Sequence, residues 1–133
     1  MAVVSTETVP VKTEPDVVAV RRHIRELAAK MGFTLVDQTK LVTAASELAR
    51  NTIIHGSGGV MHVETLNGPR SGLRLTFEDQ GPGIADIELA LRDGFTTGSG
   101  LGLGLGGAKR LVSEFDIVSR VGEGTKVTIT RWK

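Results

Sequence analysis

Two long stretches in the first half of the chain carry apolar residues at helical spacing. The first opens at Pro15-Asp16 and stops at Gly32, and the second runs from about residue 35 to residue 54. Each stretch therefore predicts a helix with one buried face. That face comprises Val17, Val20, Ile24, Leu27, Ala28 and Met31 in the first helix, and Leu41, Val42, Ala45, Leu48, Ala49 and Thr52 in the second.

Alternation of apolar and polar residues marks the strands. Residues 8–13 predict a short strand, which Pro10 restricts to the edge of a sheet. Residues 60–79 predict a hairpin that turns within residues 67–72, and residues 115–132 predict another with "GEG" at its tip. Between the hairpins, we expect a short helix at about 85–92 and a helix from near Gly104 to Phe115.

The order of these elements is β-α-α-β-β-α-loop-α-β-β. It predicts an α+β fold, a two-layer α/β sandwich with helices on one face of a mixed β-sheet. The chain has 133 residues, of which 40% are hydrophobic and 23% charged, as expected for a single domain spanning residues 1–133.

Charge and composition exclude several classes of function. The net charge is +1 with both signs mixed along the chain, so nothing favours nucleic acid or a membrane as partner. The chain has no cysteine, which excludes disulfides and thiolate chemistry. The N-terminus carries no secretory signal pattern, and the predicted location is cytoplasmic.

The stretch "GSGLGLGLGGAKR", residues 98–110, is the most unusual in the chain, with six glycines in its first ten positions. Bare backbone lets N–H groups approach an anion, and the following helix begins near Gly104, with Lys109 and Arg110 further along. The pattern therefore favours phosphate binding. It lacks the Gly-Lys-Ser/Thr of a P-loop, and it does not follow the first strand of a βαβ unit, as a dinucleotide fingerprint should. A flexible surface loop is the alternative.

The second helix contains "SELARN", residues 46–51. Glu47 and Asn51 are four residues apart and project from the same side. One hypothesis makes Glu47 a general base and Asn51 an oxygen ligand of Mg²⁺, with His55 one turn further along the same cleft. The alternative is a solvated helix face on which Glu47 forms a surface ion pair with Arg50.

In "GLRLTFEDQGPG", the apolar residues Leu73, Leu75 and Phe77 occupy alternate positions, and continuing that alternation places Asp79 on the apolar side. A buried carboxylate needs a partner, and the exocyclic amine of adenine is a suitable donor. Gly81 and Gly83 would let a flat base lie against bare backbone. The alternative is that the strand ends at Glu78 and that Asp79 starts a turn.

Together, "ELARN" on a helix, "DQGPGI" after a strand, the "GLGLG" loop before a helix and "GEGT" at a hairpin resemble the GHKL, or Bergerat, ATP-binding fold. The resemblance covers about residues 8–133. Within that superfamily, the short chain is most similar to the stand-alone serine/threonine kinases that act on anti-sigma-factor pathways, of the stressosome switch-kinase type.

The resemblance implies a role for each matching position. Glu47 would be the catalytic base, Asn51 the Mg²⁺ ligand, and Asp79 the residue that binds the adenine amine. Residues 93–100 would form a mobile lid over ATP. The further ATP-binding positions implied by the resemblance are Gly81, Gly83, Gly100, Gly102, Leu103, Gly104, Leu105 and Thr125.

By the same resemblance, the chain is expected to be an ATP- and Mg²⁺-dependent serine/threonine protein kinase. Its substrates would be STAS-domain antagonist proteins in a bacterial stress-signalling cascade, and a PP2C-type phosphatase would be a further partner. The alternative is a nucleotide-dependent switch that sequesters a partner such as a sigma factor, with little catalysis. A Rossmann-like oxidoreductase does not fit the order of elements.

Overall fold

The computed structural model describes residues 2–91 and 104–133. These two stretches form five strands and four helices, in the order that the sequence predicts. The elements are β1 (Ala2–Val11), α1 (Glu14–Lys30), α2 (Leu35–Gly56), β2 (Gly59–Asn67), β3 (Gly72–Asp79), α3 (Ile87–Ala90), α4 (Gly104–Arg110), β4 (Glu114–Arg120) and β5 (Gly124–Trp132).

The strands form one sheet in the order β1-β2-β3-β5-β4, and each neighbouring pair is antiparallel. The α+β prediction is confirmed, but the prediction of a mixed sheet is wrong for the described strands. β5 folds back on β4 and inserts between β3 and β4. β3 and β4 run in the same direction, but they are not neighbours, because β5 lies between them and is antiparallel to both.

β1 lies at the edge of the sheet, as Pro10 requires. It is longer than predicted, because Ala2–Val11 pairs along the whole of β2, with a bulge between Val3 and Ser5. Pro10 stands opposite Val60 and has no N–H to donate. An edge strand tolerates that loss because one of its sides has no neighbouring strand.

The two long helices begin and end at local signals. The Asp16 carboxylate accepts hydrogen bonds from the N–H groups of Lys12 and Thr13, at 2.9 and 3.1 Å, and these bonds lower the pKa of Asp16. Thr34 accepts from Asp37 N–H at the start of α2. α2 ends at Gly56, two residues later than predicted, where Ser57 adopts a left-handed conformation with φ of 60°.

The two short helices differ more from the prediction. α3 is a single turn capped by Asp86, whose side chain accepts from Leu89 N–H at 3.0 Å. α4 ends at Arg110 rather than at Phe115. Its predicted last turn unwinds because Ser113 N–H donates to the Thr130 carbonyl at 2.9 Å and residues 114–120 pair with β5 instead.

The helices cover one face of the sheet, here called the inner face, and the core lies between the two layers. Leu73, Leu75 and Phe77 point to it, as their alternation predicts, and are almost completely buried. The outer face carries polar residues such as Arg74, whose Nε lies 2.7 Å from Glu64 Oε1 on the neighbouring strand. None of the described helices is both long and apolar enough to cross a membrane.

Candidate functional site

A cavity of about 390 Å³ opens between α2, the end of β3 and the segment that follows it. That volume lies within the range of small-molecule sites in proteins. Its apolar walls come from the inner face of the sheet and from three helices. They include Leu48, Phe77, Ile84, Ala90, Leu105 and Val127, and the polar side chains at the cavity include Asn51, His55, Asp79 and Thr125.

α2 supplies one side of this cavity. Asn51 and His55 both line it, one turn apart, as their spacing predicts. The buried face of α2, including Leu41, Leu48 and Ala49, packs on the core and fixes the direction in which Asn51 projects.

Glu47 lies one turn before Asn51 and is 7% exposed. Its Oε1 is 3.3 Å from Arg50 Nη1, and its Oε2 accepts a hydrogen bond from Gly104 N–H at 3.2 Å. The predicted pair with Arg50 therefore exists, but the carboxylate in it is buried rather than solvated. A buried carboxylate held by one cation and one amide has the fixed orientation that proton transfer requires.

Asp79 is the last residue of β3, and its half-buried side chain lines the cavity. The strand does not end at Glu78, because Asp79 still pairs with Gly59 and Thr125. Asp79 does open the following turn, since its Oδ1 accepts from Gly81 N–H at 2.9 Å. The second carboxylate oxygen is not used in that bond. Asp79 can therefore accept a hydrogen bond from a ligand in the cavity while it keeps its bond with Gly81 N–H.

Three glycines approach Asp79 so closely that a side chain would not fit. A Cβ on Gly56 would lie 2.3 Å from Asp79 Cγ, and one on Gly124 would lie 2.1 Å from the Asp79 carbonyl oxygen. A Cβ on Gly81 would lie 2.6 Å from Gly56 Cα. The end of α2, the turn after β3 and the start of β5 thus meet around this aspartate.

Gly83 has a structural reason to be glycine in addition to the expected one. Gly83 lines the cavity, but its positive φ of 78° and the 2.2 Å between its ideal Cβ and the Arg120 carbonyl oxygen already require glycine. Gly81 packs against Gly56 and the His55 carbonyl rather than forming part of the cavity wall. Both glycines are explained by contacts within the protein.

Thr125 stands directly opposite Asp79 in the pairing of β3 with β5, and both side chains line the cavity. Its hydroxyl lies 2.7 Å from Ser119 Oγ on β4. Ser119 is not among the predicted site residues, although the alternation that predicts the direction of Asp79 also applies to it. Phe115 and Ile117 alternate on the inner face, and Ser119 is the polar residue at the next inward position.

Two of the predicted phosphate-binding positions fall within the described residues. Leu105 lines the cavity, and Gly104 begins α4 with a positive φ of 71°. The Gly104 N–H, which we expected to face phosphate oxygens, donates to Glu47 instead. Gly100, Gly102, Leu103 and the predicted lid at 93–100 lie outside the described residues.

The residues at the cavity can hold Mg²⁺ only together with a bound phosphate group and water, which would supply most of its ligands. No group of three His, Asp or Glu side chains able to hold a metal occurs within residues 2–91 and 104–133. Asn51 lines the cavity, and its carboxamide carries a single hard oxygen. That donor set suits Mg²⁺, which commonly takes one or two protein oxygens and fills its remaining positions with phosphate oxygens and water.

Comparison with known proteins bears on this site. Residues 36–133 match the family model described as histidine kinase-, DNA gyrase B- and HSP90-like ATPase. The chain is 45% identical to the serine/threonine-protein kinase RsbT of Bacillus subtilis (strain 168), over 93% of this chain and 94% of that protein. It is 32% identical to an anti-sigma F factor of Thermoanaerobacter sp. (strain X514), over 84% and 82% of the two chains.

Solved structures agree with these sequence matches. The chain resembles the crystal structure of the RsbU and RsbW domains of a Mycobacterium tuberculosis protein, with 25% identity and a TM-score of 0.65. The match covers 96% of this chain and 32% of that one. The mycobacterial sensor histidine kinase MprB, at 20% identity and a TM-score of 0.53, shows the same fold over 96% and 97% of the two chains.

Proposed function

This chain belongs to the histidine kinase-, DNA gyrase B- and HSP90-like ATPase family, and we propose that it transfers phosphate from ATP to a serine or threonine of a protein partner. The buried Glu47 carboxylate carries this proposal. It lies one turn from the cavity wall and is oriented by Arg50 and Gly104. A base at this position favours phosphate transfer over nucleotide binding alone.

The cavity supports an adenine nucleotide as the phosphate donor. Its apolar walls suit a flat base, and Asp79 offers a carboxylate oxygen to the exocyclic amine. Thr125, opposite Asp79, supports the same end. The triphosphate would then extend toward Asn51 and the start of α4, where Leu105 lines the cavity.

Asn51 would hold Mg²⁺ through its carboxamide oxygen. When bound, Mg²⁺ neutralises charge on the phosphates. Glu47 would orient the hydroxyl of the partner and accept its proton, a contribution of about 10²–10⁴-fold in rate. Arg50, within 3.3 Å of Glu47, keeps the carboxylate in place for that step.

The similarity to RsbT and to anti-sigma F factors supports protein partners in a sigma-factor cascade. We propose STAS-domain antagonist proteins as the substrates and a PP2C-type phosphatase as a second partner, in a stressosome pathway of the cytoplasm. The solved relative that joins an RsbU and an RsbW domain in one chain supports the idea of a second protein partner.

The anti-sigma F relatives favour one alternative, a switch that sequesters a partner in a nucleotide-dependent way. Incubation with γ-labelled ATP and candidate STAS-domain proteins separates the two functions. Acid-stable label on the partner identifies a serine/threonine kinase. A complex that depends on nucleotide, without label on either protein, identifies a sequestering switch.

Glu47→Gln tests the proposed base. Glutamine keeps the size of the side chain and an acceptor for Gly104 N–H, but it does not take up a proton. We expect labelling of the partner to fall at least about 100-fold, with the affinity for ADP unchanged. Undiminished labelling would remove Glu47 from the mechanism. Glu26→Gln, at an exposed position of α1, is the matched control and should label the partner normally.

A further inference from the structure

Ser119, on β4, is a polar residue that contacts two other segments around the cavity, the one containing Ile84 and the start of β5. Its Oγ accepts a hydrogen bond from Ile84 N–H at 2.7 Å, donates to the Gly124 carbonyl at 3.2 Å and lies 2.7 Å from Thr125 Oγ1. Ser119 itself does not line the 390 Å³ cavity, whereas Ile84 and Thr125 do. Any effect of Ser119 on a ligand there must therefore pass through its neighbours.

The direction of each hydrogen bond follows from the number of protons available. A serine hydroxyl has one proton and two lone pairs. The Ile84 amide only donates, so it occupies one lone pair, and the Gly124 carbonyl only accepts, so it takes the proton. One lone pair remains, so all three contacts are satisfied together only when Thr125 donates the proton of the 2.7 Å contact.

The Thr125 proton is consequently used inside the protein. Toward the cavity, Thr125 presents only lone pairs, and the Asp79 carboxylate beside it offers further hydrogen-bond acceptors. The polar end of the cavity therefore presents two hydrogen-bond acceptors, one from Thr125 and one from Asp79. A base bound there must bring donors to both, as the two N–H hydrogens of a 6-amino group do, whereas a 6-oxo group adds a third acceptor.

We propose that Ser119 is a positioning residue that sets base specificity. By accepting a hydrogen bond from the Thr125 hydroxyl, it makes the site select 6-amino over 6-oxo purine nucleotides. This inference rests on the proposed nucleotide site. Without Ser119, the Thr125 hydroxyl is free to rotate and donate to a 6-oxo oxygen, while Asp79 accepts from N1–H of the same base. Discrimination between the two purines would then fall.

The test compares the Mg²⁺ complexes of ADP and IDP, which differ at position 6 of the base, by calorimetry on the full chain. We expect wild type to bind ADP more tightly than IDP, and Ser119→Ala to reduce that preference about three- to tenfold, the effect of one hydrogen bond. Ser119→Thr, which keeps a hydroxyl, should restore the preference. Thr128→Val, which removes an outer-face hydroxyl that pairs with Thr76 on β3, should leave it unchanged.

A double-mutant cycle distinguishes this role from simple support of the Ile84 segment. If Ser119 acts through Thr125, Ser119→Ala has no further effect on the ADP-to-IDP ratio in a Thr125→Val background. An equal loss in both backgrounds would overturn the inference. Should Ser119→Ala fail to fold, Thr125→Val alone must still reduce the preference for ADP.

The outcomes also separate this inference from the proposed function. A wild-type chain that binds ADP and IDP equally would overturn the role of Ser119 and leave the kinase proposal standing. An unchanged ratio in Ser119→Ala would do the same. A chain that binds neither nucleotide would overturn both.

Discussion

Asn51 is the described side chain on which the proposed metal binding depends. It lines the cavity one turn from Glu47, on a helix whose other face is buried in the core. Its neighbour Glu47 is held by Arg50 and by the first amide of α4, so the two side chains have different environments although they share one helix face. Their spacing places them together, and their different contacts fit the different roles proposed for them.

Asn51→Ala is expected to abolish the dependence of nucleotide affinity on Mg²⁺. Removing the carboxamide removes the protein oxygen while leaving the apolar walls and Asp79 in place. Calorimetric titration of ADP with Mg²⁺ and with EDTA measures the effect. Asn67→Ala, at the exposed last position of β2, is the matched control and should keep the wild-type response. An unaltered Mg²⁺ dependence in Asn51→Ala would contradict the ligand assignment.

Arg131 ties three elements together at the opposite end of α2 from the site. From β5, its Nη2 contacts Asp37 Oδ1 on α2 at 2.6 Å, and its Nη1 donates to the Leu111 carbonyl, just after α4, at 3.1 Å. The side chain of Arg131 is only 18% exposed. This contact fixes the C-terminal end of α4 relative to α2, and α4 carries Gly104 and Leu105 at its other end.

The Arg131 hydrogen bond lowers the pKa of Asp37 below its ordinary value of 3.8. The ionised carboxylate therefore stabilises the fold above that value, and its contribution is lost as the pH falls through the lower pKa of the folded state. We expect Asp37→Asn to unfold at less urea than wild type at about pH 7, and the two midpoints to converge below about pH 4.

Asp116→Asn, at an exposed position of β4, controls for the loss of one negative charge and should unfold like wild type across the same range. A difference between Asp37→Asn and wild type that stayed constant with pH would show that the ionised carboxylate is not the stabilising group.

Across the molecule, three segments far apart in sequence converge on Asp79. Gly56 ends α2, Gly81 follows β3 and Gly124 begins β5, and each approaches its neighbours too closely for a side chain. Because the carboxylate proposed to bind the base is also the point where these segments pack, the proposed specificity and the stability of the fold depend on the same contacts.

A matched pair of glycines tests this dependence. Gly122 and Gly124 both have positive φ, 81° and 93°, so alanine costs backbone strain of about 1–2 kcal/mol at either position. A Cβ on Gly122 would meet nothing within 4 Å, whereas one on Gly124 would lie 2.1 Å from the Asp79 carbonyl oxygen. We therefore expect Gly124→Ala to lose more stability in urea and to weaken ADP binding, and Gly122→Ala to keep wild-type affinity. Equal losses would show that strain alone accounts for both.

Much of the architecture was predictable because side-chain direction follows locally from backbone geometry. The 3.6-residue period gave both long helices, and the two-residue alternation placed Asp79 at the cavity. Helix ends were less accurate. α4 stops at Arg110 because residues 113 and 114 form hydrogen bonds with β5 instead of continuing the helix. No local signal in the sequence predicts that pairing.

The sequence by itself determined the order of the elements, the side of α2 that carries Glu47 and Asn51, and the inward direction of Asp79. Each of these depends on residues within a few positions of one another. Only the tertiary structure decided that β5 separates β3 from β4, that Glu47 engages Gly104, and that Ser119 meets Thr125 and Ile84. Those contacts join residues far apart in the sequence, 57 positions for Glu47 and Gly104. They form because packing the core brings distant backbone together, which no local spacing encodes.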